Sequence, residues 1–270
     1  MNFIAKHLHL IKRSSVHIAR VRSLLPSFHG LRASRLNGLG VHMTALARAP
    51  VMQPLPSRTA LATGPRAVFV PTIADLCAIY QEDVNLVVLS RTLAPSVQSV
   101  VRELAAGPDF TATLRVYAPQ PDLSSLPFAD HERAAPLLAD MTCWLQAFCE
   151  LFDAEQVGLR ICHSRSVMCP RFHIDRVPVR LVCAYSGPSM QWLAEPDVDR
   201  SRLGHRAGGL SDEESGLIRR SDAIQQIPPQ AIALCRGDSW PGRAGRALVH
   251  RSPANLGDGS ARMVMTLDML

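Results

Sequence analysis

The predicted fold is decided by the stretch RFHIDRVPVRLVCAYSG, which runs from Arg171 to Gly187. This segment has the composition of a β-strand, in which successive side chains point to opposite faces. On that prediction His173 and Asp175 share one face, while Phe172 and Ile174 take the other. One imidazole and one carboxylate therefore converge on the same point.

Two later strand-like segments add to this pair. RALVHRSP presents His250, and ARMVMTLDM presents Arg262. Two histidines and one carboxylate are the ligand set of a facial-triad non-haem iron(II) site, which leaves half of the octahedron open. His173, Asp175 and His250 are therefore the candidate metal ligands, and the pattern indicates no catalytic residue beyond them.

Short strand-like segments follow one another from about residue 156 to residue 270, with no long helix between them. Such a series predicts an all-β sandwich or barrel. Residues 61–155 mix strands with helices, and the clearest helix, at about 135–152, has apolar residues at three- and four-residue intervals. We therefore predict one α+β domain over residues 61–270, with a β-barrel core at 156–270 and helices that buttress it from outside.

Residues 196–222 form a polar, glycine-rich stretch between two strand-like segments. A stretch of this length without apolar periodicity predicts a long irregular insertion, of the kind that is functional or mobile. Within it, we expect Asp212, Glu213 and Glu214 to form a solvated acidic patch.

Basic residues are concentrated at the N-terminus. The first 74 residues hold ten Lys or Arg and no Asp or Glu, whereas the rest hold nineteen basic and twenty-three acidic residues. Residues 1–60 resemble an organelle transit peptide in composition, but we favour a disordered tail or a mis-assigned start. Because basic and aromatic residues do not cluster after this segment, we expect no nucleic-acid partner.

The seven cysteines are an odd number, and they are scattered through apolar segments. That pattern favours reduced thiols in a cytosol over a disulfide framework. No apolar run reaches the roughly 18 residues that a membrane span needs. We therefore expect a cytoplasmic protein without a membrane partner.

The order of the candidate residues resembles that of the iron(II)- and 2-oxoglutarate-dependent dioxygenases. H-x-D lies on an early strand, Gly237 and Asp238 form a Gly-Asp turn, and a late histidine and an arginine follow on the last two strands. The resemblance covers about residues 155–270. It implies that the α+β fold is a distorted double-stranded β-helix, jelly-roll or cupin-like, with the N-terminal helices outside it.

This resemblance also implies the cofactors. The metal would be iron(II), and Arg262 would pair with the far carboxylate of 2-oxoglutarate, since a guanidinium fork suits bidentate carboxylate recognition. Tyr185 and Trp192, on the strands after H-x-D, are either core residues or a wall for the cosubstrate or substrate. The reaction implied is oxidation of a substrate coupled to oxidative decarboxylation of 2-oxoglutarate. The substrate, whether small molecule or macromolecule, is not indicated.

A more specific resemblance is to a bacterial family known as domain of unknown function 1826. The segments that carry it are CHSRSVMCPRFHIDR, LVCAYSGP and a terminal HRSP block. That resemblance covers most of residues 60–270 and carries no assigned activity. Members are often found near zinc-homeostasis functions. It therefore implies an alternative, a zinc-binding accessory protein of metal homeostasis without oxygenase activity.

The zinc ligands of that alternative would be Cys162, His163, Cys169 and His173. Thiolate and imidazole are the ligands that zinc prefers. Adjacent residues of a strand face opposite sides, which argues against Cys162 and His163 acting together. A mixed site of Cys169, His173 and His250 stays open.

Overall fold

The computed structural model describes residues 64–242, 244–253 and 261–270, and the predicted tail at residues 1–60 lies outside these ranges. The helices are α1, Pro95–Ala105, and α2, Ala135–Phe152. Short 3-10 helices lie at Ile73–Tyr80, Glu195–Asp197, Arg200–Arg202 and Gly204–Ala207. The strands are β1 Arg66–Val70, β2 Val84–Leu89, β3 Phe110–Tyr117, β4 Gln156–Ser164, β5 Val179–Ser186, β6 Gln191–Trp192, β7 Gln225–Gln226, β8 Ile232–Arg236, β9 His250–Arg251 and β10 Arg262–Met269.

The strands form two sheets. The larger has the order β1-β2-β8-β5-β10-β4-β3, antiparallel except for the parallel pair β1 and β2. The smaller has the order β7-β6-β9, and an isolated bridge between His173 and His250 extends it. From β4 to β10 the chain passes repeatedly from one sheet to the other, which makes the core a double-stranded β-helix. The two sheets stay separate, so the core is a pair of facing sheets and not the closed barrel that we predicted.

Apolar side chains fill the space between the two sheets. Val182, Ala233 and Val264 of the larger sheet pack there against Trp192 of the smaller sheet and against Leu248, next to β9. Because strand side chains alternate between faces, these residues identify the inner face of each strand. The inner face of β10 therefore carries Arg262, Val264, Thr266 and Asp268.

The helices cover the outer face of the larger sheet, as the sequence predicted. Leu181 of β5 and Met265 of β10 pack there with Val100 of α1 and Leu145 of α2. Complete burial of a large apolar side chain contributes about 1.5–3 kcal/mol relative to its exposed state. The helices thus stabilise the sheet whose inner face carries the candidate site residues. In the described part of the chain, neither helix is both apolar enough and long enough to cross a bilayer.

The segment 171–187 differs in one respect from its prediction as a continuous strand. His173 makes a single bridge in the smaller sheet, and regular structure resumes only at Val179, in the larger sheet. The chain must cross between the sheets here, and Pro178, which has no backbone N–H, lies in the crossing. As a result H-x-D lies at the end of a bridge, where the chain leaves the smaller sheet.

Candidate metal centre

His173, Asp175 and His250 come together between the sheets. One ligand atom from each can be chosen so that all three atoms lie within 4.8 Å of one another. Nε2 of His250 is 3.4 Å from Oδ2 of Asp175, and Nε2 of His173 is 3.9 Å from Oδ1. Within the described ranges, this is the one group of three or more His, Cys, Asp or Glu residues that converges in this way.

The backbone fixes how each imidazole is presented. Nδ1 of His173 is 2.9 Å from the carbonyl oxygen of Arg171, and Nδ1 of His250 is 3.2 Å from that of Leu248. A carbonyl oxygen can only accept, so each Nδ1 carries the hydrogen and each Nε2 keeps its lone pair. Both Nε2 atoms point toward Asp175 and are the atoms available to a metal.

Burial keeps His250 neutral. It lowers the pKa of this imidazole well below its ordinary value, and the nearby carboxylate of Asp175 only partly opposes this effect. A neutral imidazole is the form that binds metals, so His250 can take an ion near neutral pH without first losing a proton. His173 is more exposed, and its ring lies 4.6 Å from the ring of His250.

The two oxygens of Asp175 have different surroundings. Nη1 of Arg180 donates to Oδ1 at 2.6 Å, and the same guanidinium holds both oxygens of Asp268. Oδ2 is buried and has no hydrogen-bond partner. A buried acceptor without a partner costs about 1–3 kcal/mol, more when it is charged, so a bound cation would relieve this cost. The carboxylate is therefore arranged to offer one oxygen to an ion.

The Gly-Asp turn holds the backbone of Asp175 and of the residues after it through hydrogen bonds. The backbone N–H of Asp238 donates to the carbonyl oxygen of Asp175 at 2.8 Å, and that of Gly237 donates to Pro178 at 2.9 Å. A Cβ on Gly237 would lie only 1.9 Å from the carbonyl oxygen of Val177. The turn therefore requires glycine because of a close approach of two backbones.

Arg262 begins β10 and is 8% exposed. Its Nε donates to the carbonyl oxygen of Pro188 at 2.7 Å and its Nη1 to Oγ of Ser252 at 3.2 Å. Burial lowers the pKa of this guanidinium to about 10, so it still carries its charge at neutral pH. Among the described residues it has no carboxylate partner, and an unpaired buried cation favours an anion beside it.

Ser252 connects Arg262 to the segment that carries His250. It follows His250 by two residues, or about 7 Å along an extended chain, and its backbone N–H bonds to Cys169. The guanidinium of Arg262 therefore contacts the segment that carries His250.

Trp192 is the second unpaired donor of this region. It is 4% exposed, lies opposite His250 in the smaller sheet, and belongs to the apolar cluster between the sheets. Its Nε1 is buried without an acceptor among the described residues. An indole N–H donates only, so an acceptor from a bound molecule would satisfy it. Trp192 therefore lies in the core between the sheets, and its role as a cosubstrate wall stays a prediction.

For Tyr185 the structure favours the core interpretation, so the expectation that this side chain lines a cosubstrate pocket is corrected. It is 2% exposed and packs with the helices on the outer face of the larger sheet. Its hydroxyl donates to Asp140 of α2 at 2.6 Å, beside the guanidinium of Arg91. The pairing of β5 with β10 is irregular at this point, a bulge that the sequence did not reveal.

The four residues of the predicted zinc set are not brought together. His163 is fully buried against Phe110, with its Nδ1 3.1 Å from the carbonyl oxygen of Pro108. Cys162 faces the other side of β4, where Thr111 and Met168 contact its sulfur. The prediction that these neighbours face opposite sides is therefore correct. All seven cysteines are free thiols.

Sequence reasoning missed the residues that support the triad. Arg180 lies five residues after Asp175, but the sequence gives no sign that its guanidinium returns to that carboxylate. Its link to Asp268 depends on the pairing of β5 with β10, in which these two residues are direct partners. The signal available in the sequence was strand alternation, which places Asp268 on the same face of β10 as Arg262.

Fold and site together define a double-stranded β-helix protein with a His-x-Asp and distal His cluster between its sheets. The chain belongs to the family described as "Protein of unknown function (DUF1826)", whose family model matches residues 71–268. No curated protein matches the sequence.

Solved structures resemble the chain at low identity. Auxin oxidation dioxygenase 1 from Arabidopsis thaliana, in a binary complex with 2-oxoglutarate, is 12% identical, with 77% of this chain and 92% of that chain covered and a TM-score of 0.40. A Pseudomonas putida prolyl-4-hydroxylase is 12% identical, with 73% and 96% covered and a TM-score of 0.37. HygX from Streptomyces hygroscopicus, with nickel and 2-oxoglutarate bound, is 14% identical, with 68% and 81% covered and a TM-score of 0.35.

Proposed function

We propose that the protein is an iron(II)- and 2-oxoglutarate-dependent oxygenase whose metal is held by His173, Asp175 and His250. One observation carries this proposal: three ligand atoms of the facial-triad type lie within 4.8 Å of one another around a buried carboxylate oxygen that has no partner. Two imidazoles and one carboxylate suit iron(II) and leave open positions for a cosubstrate and dioxygen.

The unpaired donors support 2-oxoglutarate as the cosubstrate. Arg262 provides a buried cation without a carboxylate partner, and Trp192 provides a buried N–H without an acceptor. A dicarboxylate that places its 2-oxo acid end on the metal and its far carboxylate at Arg262 would satisfy the buried charge. The same molecule is positioned to accept from Trp192.

The roles of the chain's own groups follow from these contacts. Bound iron would supply the oxidation chemistry, in which 2-oxoglutarate loses carbon dioxide and a substrate is oxidised. Arg180 keeps Oδ1 of Asp175 engaged, so that Oδ2 is directed at the ion. The two backbone carbonyls behind the imidazoles fix their tautomers. The apolar cluster around Val264 and Leu248 excludes water from the inner side of the site.

Cosubstrate binding tests this assignment. Protein loaded with manganese(II), which avoids turnover, is titrated with 2-oxoglutarate by calorimetry. Arg262→Gln should weaken binding by at least about 30-fold, since one partner of a buried charge pair is lost, and should leave metal affinity unchanged. Arg102→Gln, an exposed arginine of α1 on the other side of the sheet, is the matched control. Equal affinity in wild type and Arg262→Gln would remove this arginine from the site.

A zinc-binding accessory role is the competing outcome. In that case the purified protein would hold zinc, fail to bind 2-oxoglutarate and release the metal after cysteine modification. The separation of Cys162 from His163 across β4 leaves the four-residue zinc set without support. We also propose a cytoplasmic location, to which the seven free thiols are suited.

A further inference from the structure

The insertion between β6 and β8 packs on the outer face of the smaller sheet. Its apolar side chains form one cluster with residues of the ligand-bearing segments: Phe172, Leu193, Val198, Leu203, Leu217, Ala223 and Val249. Phe172 immediately precedes His173, and Val249 immediately precedes His250. The insertion therefore contacts both segments that carry the candidate imidazole ligands.

Asp212 is the polar centre of this contact. It is 2% exposed, so the solvated acidic patch expected here is wrong for this residue, whereas Glu213 beside it is exposed. Its Oδ2 accepts from the backbone N–H of Phe172 at 2.7 Å and from Nη1 of Arg251 at 3.1 Å. Its Oδ1 accepts from Nε of Arg171 at 2.8 Å.

One carboxylate thus joins the residue before His173 to the residue after His250. Arg251 strengthens the joint, because its guanidinium lies 4.4 Å above the ring of Phe172 and its Nε donates to Gln191. A carboxylate that accepts three hydrogen bonds, two of them from cations, makes strong interactions.

The direct link between the two histidine segments is small by comparison. It consists of three backbone hydrogen bonds: His173 to His250 at 2.9 Å, His250 to His173 at 3.0 Å, and Ser252 to Cys169 at 2.9 Å. It is an isolated bridge, and β9 is only two residues long. Such short pairing is marginal without other support.

We propose that Asp212 is a positioning residue of the metal centre: its buried carboxylate holds the two histidine segments in the pairing that directs both imidazoles at one ion. This inference rests on the proposed metal binding and adds the insertion to the site. Loss of the carboxylate leaves the N–H of Phe172 without its acceptor and removes the buried anionic partner of Arg251. Arg251 then keeps only Gln191 and the exposed Glu213, which favours separation of the two segments.

Asp212→Asn tests the proposal, with Asp197→Asn as the matched control. Asp197 is a buried carboxylate of the same insertion and pairs with Arg220 at 2.8 Å, but makes no contact with either histidine segment. The first readout is amide hydrogen exchange of His173 and His250 in metal-free protein. The second is the affinity for cobalt(II), measured by chelator competition.

Asp212→Asn should speed exchange at these two amides by about tenfold and weaken cobalt binding by about 10- to 100-fold, as expected for a residue that orients metal ligands. The amide of Met265 in β10 should exchange as in wild type, which separates local release from global destabilisation. Asp197→Asn should change neither readout at the histidines. Arg171→Gln, which alters a half-exposed side chain and so leaves folding intact, should give a smaller change in the same direction.

The outcomes separate the two proposals. If wild type binds no metal, the metal centre fails and the role of Asp212 fails with it. If wild type binds cobalt but Asp212→Asn shows unchanged exchange and affinity, only the positioning role is refuted. Exchange that rises equally at Met265 and at the histidines would also refute it.

Discussion

Arg180 donates from Nη1 to Oδ1 of Asp175 at 2.6 Å while its Nε and Nη2 hold Asp268. The contact occupies one carboxylate oxygen and leaves Oδ2 facing His250. Orientation of the candidate ligand is therefore built into the larger sheet, because Arg180 and Asp268 are paired residues of β5 and β10. The geometry of the site therefore depends on contacts between residues of both sheets.

Removal of Arg180 should weaken metal binding. In Arg180→Gln the carboxylate of Asp175 loses its charged partner and becomes free to rotate, so the metal dissociation constant should rise by about 10- to 100-fold. Competition with a chelator measures the change. Arg200→Gln is the control, because Arg200 holds Glu195 through two hydrogen bonds at 2.8 Å and does not contact the triad. Equal constants for both variants would show that Arg180 does not orient the ligand.

Gly237 should tolerate no side chain. In Gly237→Ala the new Cβ would overlap the carbonyl oxygens of Val177 and Asp175 at 1.9 and 2.9 Å. We expect the free energy of unfolding in urea to fall by about 2–4 kcal/mol. Gly107→Ala, whose Cβ would meet one backbone oxygen at 3.2 Å, should change it by less than about 1 kcal/mol. A small loss at Gly237 would mean that the turn can move away from Asp175.

Trp192 should contribute to the binding of 2-oxoglutarate. In Trp192→Phe the ring remains but the N–H is lost, so the affinity for 2-oxoglutarate should fall by about tenfold, the effect of a hydrogen bond to a charged acceptor. Trp144→Phe and Trp240→Phe are matched controls, because these rings stack on Arg91 and Arg236 on the helical side of the sheet. Calorimetry on manganese-loaded protein gives the constants. A tenfold loss in all three variants would point to packing instead.

Tyr185 should matter for stability and not for cosubstrate binding. Tyr185→Phe removes the hydrogen bond to Asp140 in a buried network and should lower the free energy of unfolding by about 1–3 kcal/mol. The dissociation constant of 2-oxoglutarate should stay within about twofold of wild type, as the side chain lies on the helical face. A large rise in that constant, without a loss of stability, would return Tyr185 to the cosubstrate pocket.

Much of the fold was predictable because its signals are local. The apolar stripe of α2 and the alternation of β10 are periodic patterns, and the structure has α2 at Ala135–Phe152 and β10 at Arg262–Met269. The three candidate ligands were predictable from residue order. They lie far apart along the chain, but each occupies a strand-like segment in which alternation predicts the face that each side chain takes.

The remaining parts of the site depend on tertiary pairing. Nothing near Asp212 indicates that the insertion folds back on Phe172 and Arg251, because acidic residues in a polar stretch are most often solvated. Tyr185 has the same parity as His173 and Asp175, but the chain crosses between the sheets before β5 begins at Val179, so Tyr185 lies on the outer face with Leu181. Such features arise from which strands become neighbours, and one sequence carries no periodic signal for them.

Anaerobic titration of metal-free protein with iron(II), followed by 2-oxoglutarate, tests the central claim most directly. We expect a single tightly bound iron and a visible iron-to-cosubstrate absorption band. Both should be lost in His173→Ala and in His250→Ala and kept in Cys162→Ser and Cys169→Ser. Iron binding that survives loss of either histidine, or metal that leaves only when the cysteines are replaced, would contradict it.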